Sequence, residues 1–288
     1  MNRRMYYLIF SIFLMAVITT AVKLYYIFLK TALFAGLPVI LQLLLPTAGI
    51  LFICALLAVV ARLVKSPLGF SLRGQSGKSA FFAILFVAGN LPFTLGLLLI
   101  PLIPRFSTLR LLWSRLRRGE RIACFVSFLL SIALTALLLI LQPSALPIYW
   151  LLGLAYPLLA ELLFRGFLWD RAKGKFERGL AVGPFYISGI VFITALLYLV
   201  WSVAFWVVIE GTDWLSLPWQ ILFGFVAGLF YGFARERTQA IYAPLLFHQL
   251  NRVHPFGWLV SLVLAVYLFF IPEKGSGDYR ERRILRFR

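Results

Sequence analysis

The residues of this chain that could carry chemistry are a few polar side chains inside otherwise apolar segments. Glu161 and Arg165 lie in one such segment, and His248, Asn251 and Arg252 lie in another. A carboxylate can act as a general base, and a histidine together with an amide can hold a water, a metal ion or a substrate carbonyl. Ionisable groups are costly inside a membrane, so these residues are candidates for a functional site.

Their spacing predicts that they share one site. Glu161 and Arg165 are four residues apart and His248 and Asn251 are three apart, so each pair lies on one face of a helix. At about 1.5 Å per residue, Glu161 lies about 13 Å from the basic loop that follows it, and His248 lies about 15 Å into its segment. Both groups are therefore predicted near the middle of the membrane. The simpler interpretation is structural: the Glu161–Arg165 pair pins two helices together, and His248 makes a hydrogen bond between helices.

The elements that must position these residues are membrane helices. Hydrophobic residues make up 62% of the chain and charged residues 13%, against about 45–50% and about 25% in a typical soluble domain. The mean hydropathy is +0.94. This composition excludes a soluble globule, a disordered chain and a disulfide-rich scaffold. The two cysteines, Cys54 and Cys124, lie in apolar runs and predict neither a disulfide framework nor a cysteine zinc site.

We predict an all-α fold, a polytopic transmembrane helix bundle with about seven to nine membrane helices. A crossing needs about 20 apolar residues, and uncharged runs occur at 5–22, 31–61, 80–104, 122–160, 180–209, 214–234, 238–251 and 256–271. Pro143 and Pro147 divide the 122–160 run into helices over about 122–141 and 148–169. The 80–104 run contains Asn90 and three prolines and predicts a re-entrant hairpin or a broken helix. No strand pattern or internal repeat is visible.

The charge distribution predicts the orientation of the chain. Lys and Arg number 28 against 10 Asp and Glu, a net charge of +18. These basic residues lie between apolar runs, so we expect a bilayer with anionic headgroups as their partner and no nucleic acid. The basic loop 170–179 and the basic tail are predicted to be cytoplasmic, in an integral protein of the plasma membrane. The segment 105–121 interleaves arginines with apolar residues and predicts a basic amphipathic helix at the cytoplasmic surface.

These patterns divide the chain into three parts. Residues 1–121 form N-terminal membrane helices that end in the amphipathic segment 105–121. Residues 122–271 form a membrane core, and residues 272–288 form the basic cytoplasmic tail.

Two blocks of the core resemble a known family. The stretch AELLFRGFLWDR (160–171) is similar to the EExxxR-G motif of the type II CAAX prenyl protease and bacteriocin-processing family, called CPBP or Abi. The stretch ILFGFVAGLFYGFARERTQAIYAPLLFHQLNRV (221–253) resembles the last block of that family, which ends in a helix with H-x-x-x-N. Between them, GPFYISGIVFITALLYLVW (183–201) occupies the place of an F-x-x-x-H motif. The resemblance covers about 145–270 and implies that 122–271 is a CPBP-like core.

The resemblance implies an activity. Members of the family are intramembrane glutamic-type endopeptidases, in which a glutamate acts as general base on a water. Histidines and an asparagine from other helices orient that water and stabilise the oxyanion. The substrate implied is a membrane-anchored or prenylated protein or peptide. No metal or other cofactor is predicted, because Glu161 and His248 supply at most two ligands, fewer than the three of a catalytic zinc site.

Carried over position by position, the resemblance assigns catalytic roles to Glu161, His248 and Asn251, and supporting roles to Arg165, Phe192 and Arg252. The chain also departs from the family pattern. The first glutamate of the motif, usually assigned as the base, falls on Ala160, and the histidine of the middle motif falls on Leu196. Consecutive helical positions differ in direction by about 100°. Glu161 therefore replaces the base only through a one-residue slip of the helix or a π-bulge.

Three functions stay open at this point. The first is a CPBP-type intramembrane endopeptidase. The second is a catalytically inactive relative that binds membrane segments as an adaptor, chaperone or immunity factor. The third is a small transporter or lipid-binding protein that uses the same polar cavity. The apolar residues at 160 and 196 separate the first two, and the missing repeat argues against a transporter.

Overall fold

The structure is a computed structural model that describes residues 3–29, 31, 35–66, 68–70, 77–92, 106–142, 149–176, 178–182, 185–205, 215, 217–253 and 257–270. The predicted all-α bundle is confirmed. The described helices before the core are α1 (Arg3–Leu29), α2 (Val39–Leu63), α3 (Gly77–Asn90), α4 (Phe106–Arg115) and α5 (Arg118–Leu141). One continuous helix follows, made of π1 (Leu151–Ala155), α6 (Tyr156–Glu161), π2 (Leu162–Leu168) and α7 (Trp169–Ala172). The remaining helices are α8 (Gly189–Phe205), α9 (Leu217–Thr238), α10 (Tyr242–Val253) and α11 (Gly257–Phe270).

Four of the described helices are long and apolar enough to cross a membrane. They are α1, the 44–63 part of α2, α5 and α9. Much of their surface consists of exposed large apolar side chains, as lipid contact requires. Three shorter apolar helices, α3, α8 and α11, accompany them. The protein is thus a membrane protein, and the number of seven to nine crossings stays a prediction.

The only β structure among the described residues is a hairpin between α7 and α8. Strands β1 (Leu180–Val182) and β2 (Phe185–Ile187) are antiparallel, with Leu180 opposite Ile187. The sequence analysis included this stretch in an apolar run and saw no strand. Gly183 and Pro184 stand between the strands in the sequence, and both disfavour a continuous helix.

The sequence predicted one amphipathic helix in the segment 105–121. The structure has two helices there. Helix α4 ends at Arg115, and α5 begins at Arg118. The backbone N–H of Arg117 donates to the Glu120 carboxylate at 2.7 Å, which caps the start of α5. Within the segment, Leu112 and Leu116 are buried while Arg115 between them is exposed, so its amphipathic character is retained.

Two buried helices, α3 and α10, are too short to cross a membrane by themselves. They contain 14 and 12 residues, which at about 1.5 Å per residue gives about 21 Å and 18 Å, less than the about 30 Å of a hydrocarbon core. Both are mostly buried. The Ser79 hydroxyl donates to the carbonyl of Thr238, just before α10, so the two helices start at the same end of the bundle. Short buried helices are tolerated at membrane depth where protein surrounds them.

The starts of α3 and α5 also lie at this end of the bundle, next to the last turn of α11. Lys78 Nζ donates to the carbonyl of Leu268 at 2.6 Å, and the Tyr267 hydroxyl donates to Glu120 Oε1 at 2.5 Å. Both contacts involve the last turn of α11. The described parts of the two basic segments, around Lys78 and around Glu120, are therefore at one end of the bundle, although an apolar run separates them in the sequence. Helix α3 ends at Asn90, inside the 80–104 run. Residues 93–105 lie outside the described ranges, so the re-entrant hairpin or broken helix expected there stays a prediction.

This arrangement predicts one-sided labelling. In a variant without Cys54 and Cys124, we expect Gly77→Cys and Gly119→Cys to react with a membrane-impermeant maleimide from the same face of sealed vesicles. A side chain at either glycine meets no other atom within 4 Å, so both substitutions are tolerated. Leu215→Cys, before the start of α9 at the other end, serves as the opposite-side control. Labelling of the two glycine positions from opposite faces would contradict the arrangement.

Candidate active site

The structure brings Glu161 of α6 and His248 of α10 together in the interior of the bundle. Glu161 Oε1 lies 2.9 Å from His248 Nδ1. The Glu161 side chain is fully buried and His248 is 3% exposed. An ionised carboxylate only accepts hydrogen bonds, so Nδ1 carries the hydrogen and donates it. The contact joins two positions that are 87 residues apart in the sequence.

A π-helical segment follows Glu161 directly, and a second one precedes α6. The Trp169 N–H donates to the carbonyl of Phe164, and the Tyr156 N–H donates to the carbonyl of Leu151, both five residues earlier. A π turn bonds residues five apart rather than four, so it changes the direction of the side chains on one side of it relative to the other. The irregular helix that Glu161 requires to face the site is thus present.

Arg165 neutralises the glutamate and ties three helices together. Its Nε lies 3.6 Å from Glu161 Oε2, an ion pair between two fully buried side chains. Its Nη2 donates to the carbonyl of Gly228 on α9 at 2.7 Å. The guanidinium also lies over the rings of Tyr198, at 4.7 Å, and Tyr231, at 5.5 Å. Cation–π contacts and the carbonyl bond hold the charge in place in this dry environment.

Side chains from other helices also bind the backbone of π2. Arg235 Nε donates to the carbonyl of Arg165 at 2.9 Å. The Tyr7 hydroxyl of α1 donates to the carbonyl of Leu168 at 3.0 Å. A π segment disturbs the regular hydrogen-bond ladder of a helix, and membrane interiors offer little water to replace lost bonds. These two donors therefore stabilise the segment that positions Glu161 and Arg165.

His248 is enclosed by two tyrosine rings. It stacks on Tyr231 at 4.9 Å between ring centroids and meets Tyr198 edge-on at 5.9 Å. Asn251 contacts the same Tyr231, since its Nδ2 donates to the hydroxyl at 3.1 Å. Its Oδ1 accepts a bond of 2.8 Å from Ser261 of α11. Asn251 is therefore connected to His248 through Tyr231.

The other predicted site residues lie outside this cluster. Phe192 is 38% exposed and packs edge-on against Phe225, so it belongs to the outer face of α8. Arg252 is exposed near the end of α10. Ala160, at the position of the family's first glutamate, is buried, and Leu196, at the position of the middle histidine, is half-buried.

Sequence reasoning missed Tyr198, Tyr231 and Gly228 as parts of the site. A tyrosine in an apolar run looks like core, and only its contact with a buried charge reveals its role. The signal that could have found Gly228 is the spacing of small residues on α9, which lets neighbouring helices approach. A Cβ at Gly228 would lie 3.2 Å from the Cα and carbonyl oxygen of Ala195 on α8. This close approach places the Gly228 carbonyl within reach of Arg165.

The cluster retains unused hydrogen-bonding capacity. Among the described residues, Glu161 Oε2 accepts no hydrogen bond and Arg165 Nη1 donates none, although both atoms are buried. One is an acceptor and the other a donor, so a water or another small polar group can satisfy both. The described residues contain no group of three or more His, Cys, Asp or Glu side chains that could hold a metal ion.

Comparison with known proteins agrees with this geometry. Residues 142–254 match the family model "Type II CAAX prenyl endopeptidase Rce1-like". The match covers 113 of the 288 residues and makes that part of the chain similar to the CPBP family. The matched region contains the helix of Glu161 and Arg165 and the helix of His248, and it leaves out α1 to α5 and α11. No curated protein and no solved structure matches the chain.

The ion pair predicts unequal effects of two substitutions. Arg165→Ala leaves the Glu161 carboxylate without its cation and removes the donor to Gly228, so we expect a loss of about 3–5 kcal/mol of stability. Glu161→Gln removes the anion, but Arg165 keeps its bond to the Gly228 carbonyl and its contacts with two tyrosine rings. The glutamine also keeps a hydrogen-bonding group beside His248, so the expected cost is smaller, about 1–3 kcal/mol. Thermal unfolding of the purified variants in detergent measures the difference, and equal melting temperatures would count against the pair.

Proposed function

We propose that this protein is a CPBP-type intramembrane endopeptidase in which Glu161 activates a water molecule. The observation that carries the proposal is the 2.9 Å contact of Glu161 with His248, combined with the unused second carboxylate oxygen. His248 binds one oxygen. The other lies 3.6 Å from Arg165 Nε, accepts no hydrogen bond from the described residues and can take a proton from a water. A carboxylate held in this way has the geometry of a general base.

The neighbouring groups have separate roles in this proposal. His248 orients the carboxylate through Nδ1, and Arg165 balances its charge. The Tyr231 hydroxyl accepts a hydrogen bond from Asn251, so its own hydrogen is available to donate. Neutral donors aimed at a developing oxyanion lower the barrier of peptide hydrolysis. Asn251 thus acts through Tyr231, or directly once a substrate separates the two.

The surroundings of the site support a membrane-embedded substrate. Glu161 and Arg165 are fully buried, and the helices around them present apolar side chains to the outside. A segment of a membrane-anchored or prenylated protein or peptide can reach such a site from within the bilayer when the helices separate. The basic loops are proposed to face the cytoplasm, with the protein in the plasma membrane and its C-terminus inside.

A second candidate function rests on the departures from the family pattern. Ala160 and Leu196 replace a carboxylate and an imidazole with apolar side chains. Arg165 also engages Glu161 Oε2 in a buried ion pair, in the place where a base would hold its water. These observations favour an inactive relative that binds a transmembrane or prenylated segment as an adaptor, chaperone or immunity factor.

Cleavage assays separate the two candidates. The wild type in lipid vesicles is incubated with membrane-anchored and prenylated peptides, and products are measured by mass spectrometry. We expect cleavage by the wild type and a loss of about 10²–10⁴-fold in Glu161→Gln, the usual contribution of a general base. Glu236→Gln changes the same side chain in the turn at the end of α9, away from the cluster, and should leave cleavage unchanged.

Two other outcomes of the cleavage assay would contradict the proposal. Cleavage at the wild-type rate by Glu161→Gln would eliminate Glu161 as the base. If the wild type does not cleave and the Ala160→Glu, Leu196→His double variant does, the inactive relative is supported. The substrate cavity would then be intact, and only the base and its histidine partner would be missing.

A further inference from the structure

A reciprocal amide pair connects the two short helices α3 and α10. Asn90 Nδ2 donates to Gln249 Oε1 at 2.8 Å, and Gln249 Nε2 donates back to Asn90 Oδ1. Asn90 is 2% and Gln249 9% exposed, so the pair is buried within the bundle. Asn90 is the last residue of α3, which lies outside the region that matches the CPBP family.

Both amides of the pair donate and accept hydrogen bonds, as buried polar groups must. The second hydrogen of Asn90 Nδ2 goes to the carbonyl of Phe86, one turn earlier in α3, at 2.8 Å. That bond holds the amide of Asn90 against its own helix. Each amide thus gives and receives a bond across the pair, and replacing either one strands a buried donor or acceptor on the other.

Gln249 directly follows His248, so the amide pair also affects the orientation of the histidine. Consecutive residues leave a helix about 100° apart. His248 is bonded to Glu161 on one side of α10, and Gln249 is bonded to Asn90 on another. Two directional bonds at adjacent positions fix the rotation of α10 about its own axis. The direction in which the imidazole points is therefore set from two sides.

Apolar packing alone does not fix this rotation. The other contacts between α3 and α10 are made by aromatic rings, such as Phe82 with Phe247 and Phe86 with Tyr242. Van der Waals contacts of this kind tolerate small rotations, and lipid-exposed bundles have little hydrophobic force to distinguish them. A buried amide pair, in contrast, specifies one register, because other registers leave polar groups unpaired.

We propose that Asn90 is a positioning residue for His248, so that the N-terminal half of the chain completes the site of the CPBP core. The amide pair holds α10 in the rotation that aims Nδ1 of His248 at Glu161. This inference concerns the geometry of the histidine, and it holds whether or not the protein cleaves peptides.

The test uses the fact that the chain contains two histidines. The full-length protein is labelled with ¹⁵N-histidine and studied in lipid bilayers by solid-state NMR. The resonances of His248 are assigned with a His254→Gln variant, which leaves His248 as the only labelled side chain. Glu161→Gln supplies the reference position of a His248 imidazole without its carboxylate. The Nδ1 resonance reports on the hydrogen bond to Glu161 directly, with no assay of activity.

We expect Asn90→Leu, a substitution of similar size, to shift the His248 Nδ1 resonance away from its wild-type position toward the Glu161→Gln reference, or to split it. The matched control is Gln42→Leu, which removes an amide that donates to the carbonyls of Ala35 and Leu37, at the start of α2. Its His248 resonance should coincide with that of the wild type.

A merely structural role for Asn90 gives a different result. In that case Asn90→Leu lowers the melting temperature while the His248 resonance stays in its wild-type position, and the proposal is overturned. If Asn90→Leu does not fold, the exchange variant Asn90→Gln, Gln249→Asn decides. It restores an amide pair of the same total length, so its resonance should lie closer to the wild type than that of either single variant. No such recovery would equally overturn the proposal.

Discussion

The structure depends on one carboxylate that is buried in the middle of a membrane protein. A charge in this environment is tolerated only when it is paired and hydrogen-bonded. Glu161 meets that condition with a cation, Arg165, on one oxygen and an imidazole, His248, on the other. Both partners must in turn be held. Two tyrosine rings and the Gly228 carbonyl hold Arg165, while the same rings enclose His248. The geometry of four helices follows from this single requirement.

The requirement extends beyond the part of the chain that matches the family. The π2 segment that follows Glu161 receives a hydrogen bond from Tyr7 of α1, and α10 receives one from Asn90 of α3. Neither helix lies within residues 142–254. The first half of the chain carries no motif that sequence reasoning recognises, yet it supplies donors to the helices of the site. A donor can be contributed by many residue types from many positions, so such support leaves little trace in a motif.

The sequence predicted the membrane class, the helical fold and a shared site for Glu161 and His248, because these follow from hydropathy and from a fixed rise per residue. It did not predict that Asn90 of α3 and Gln249 of α10 join these two helices. The length of an uncharged run shows how far a segment is apolar, but it does not show whether protein or lipid surrounds that segment. The π segments were foreseen only as a condition for Glu161 to face the site. The backbone register that meets this condition depends on Arg235 and Tyr7, which are distant in the sequence.

The two departures from the family pattern are consistent with each other in electrostatic terms. A glutamate at position 160 would add a second negative charge beside Glu161, and Arg165 alone would balance only one of them. Two neighbouring carboxylates repel each other, and burial increases the cost of that repulsion. An imidazole at position 196 is the kind of partner that a second carboxylate needs in order to stay charged. Ala160 and Leu196 remove the extra acid and its partner together. The remaining pair of Glu161 and Arg165 is balanced in charge, and His248 contacts the carboxylate oxygen that does not face Arg165. One acid with one cation and one imidazole is therefore a balanced site without a second acid.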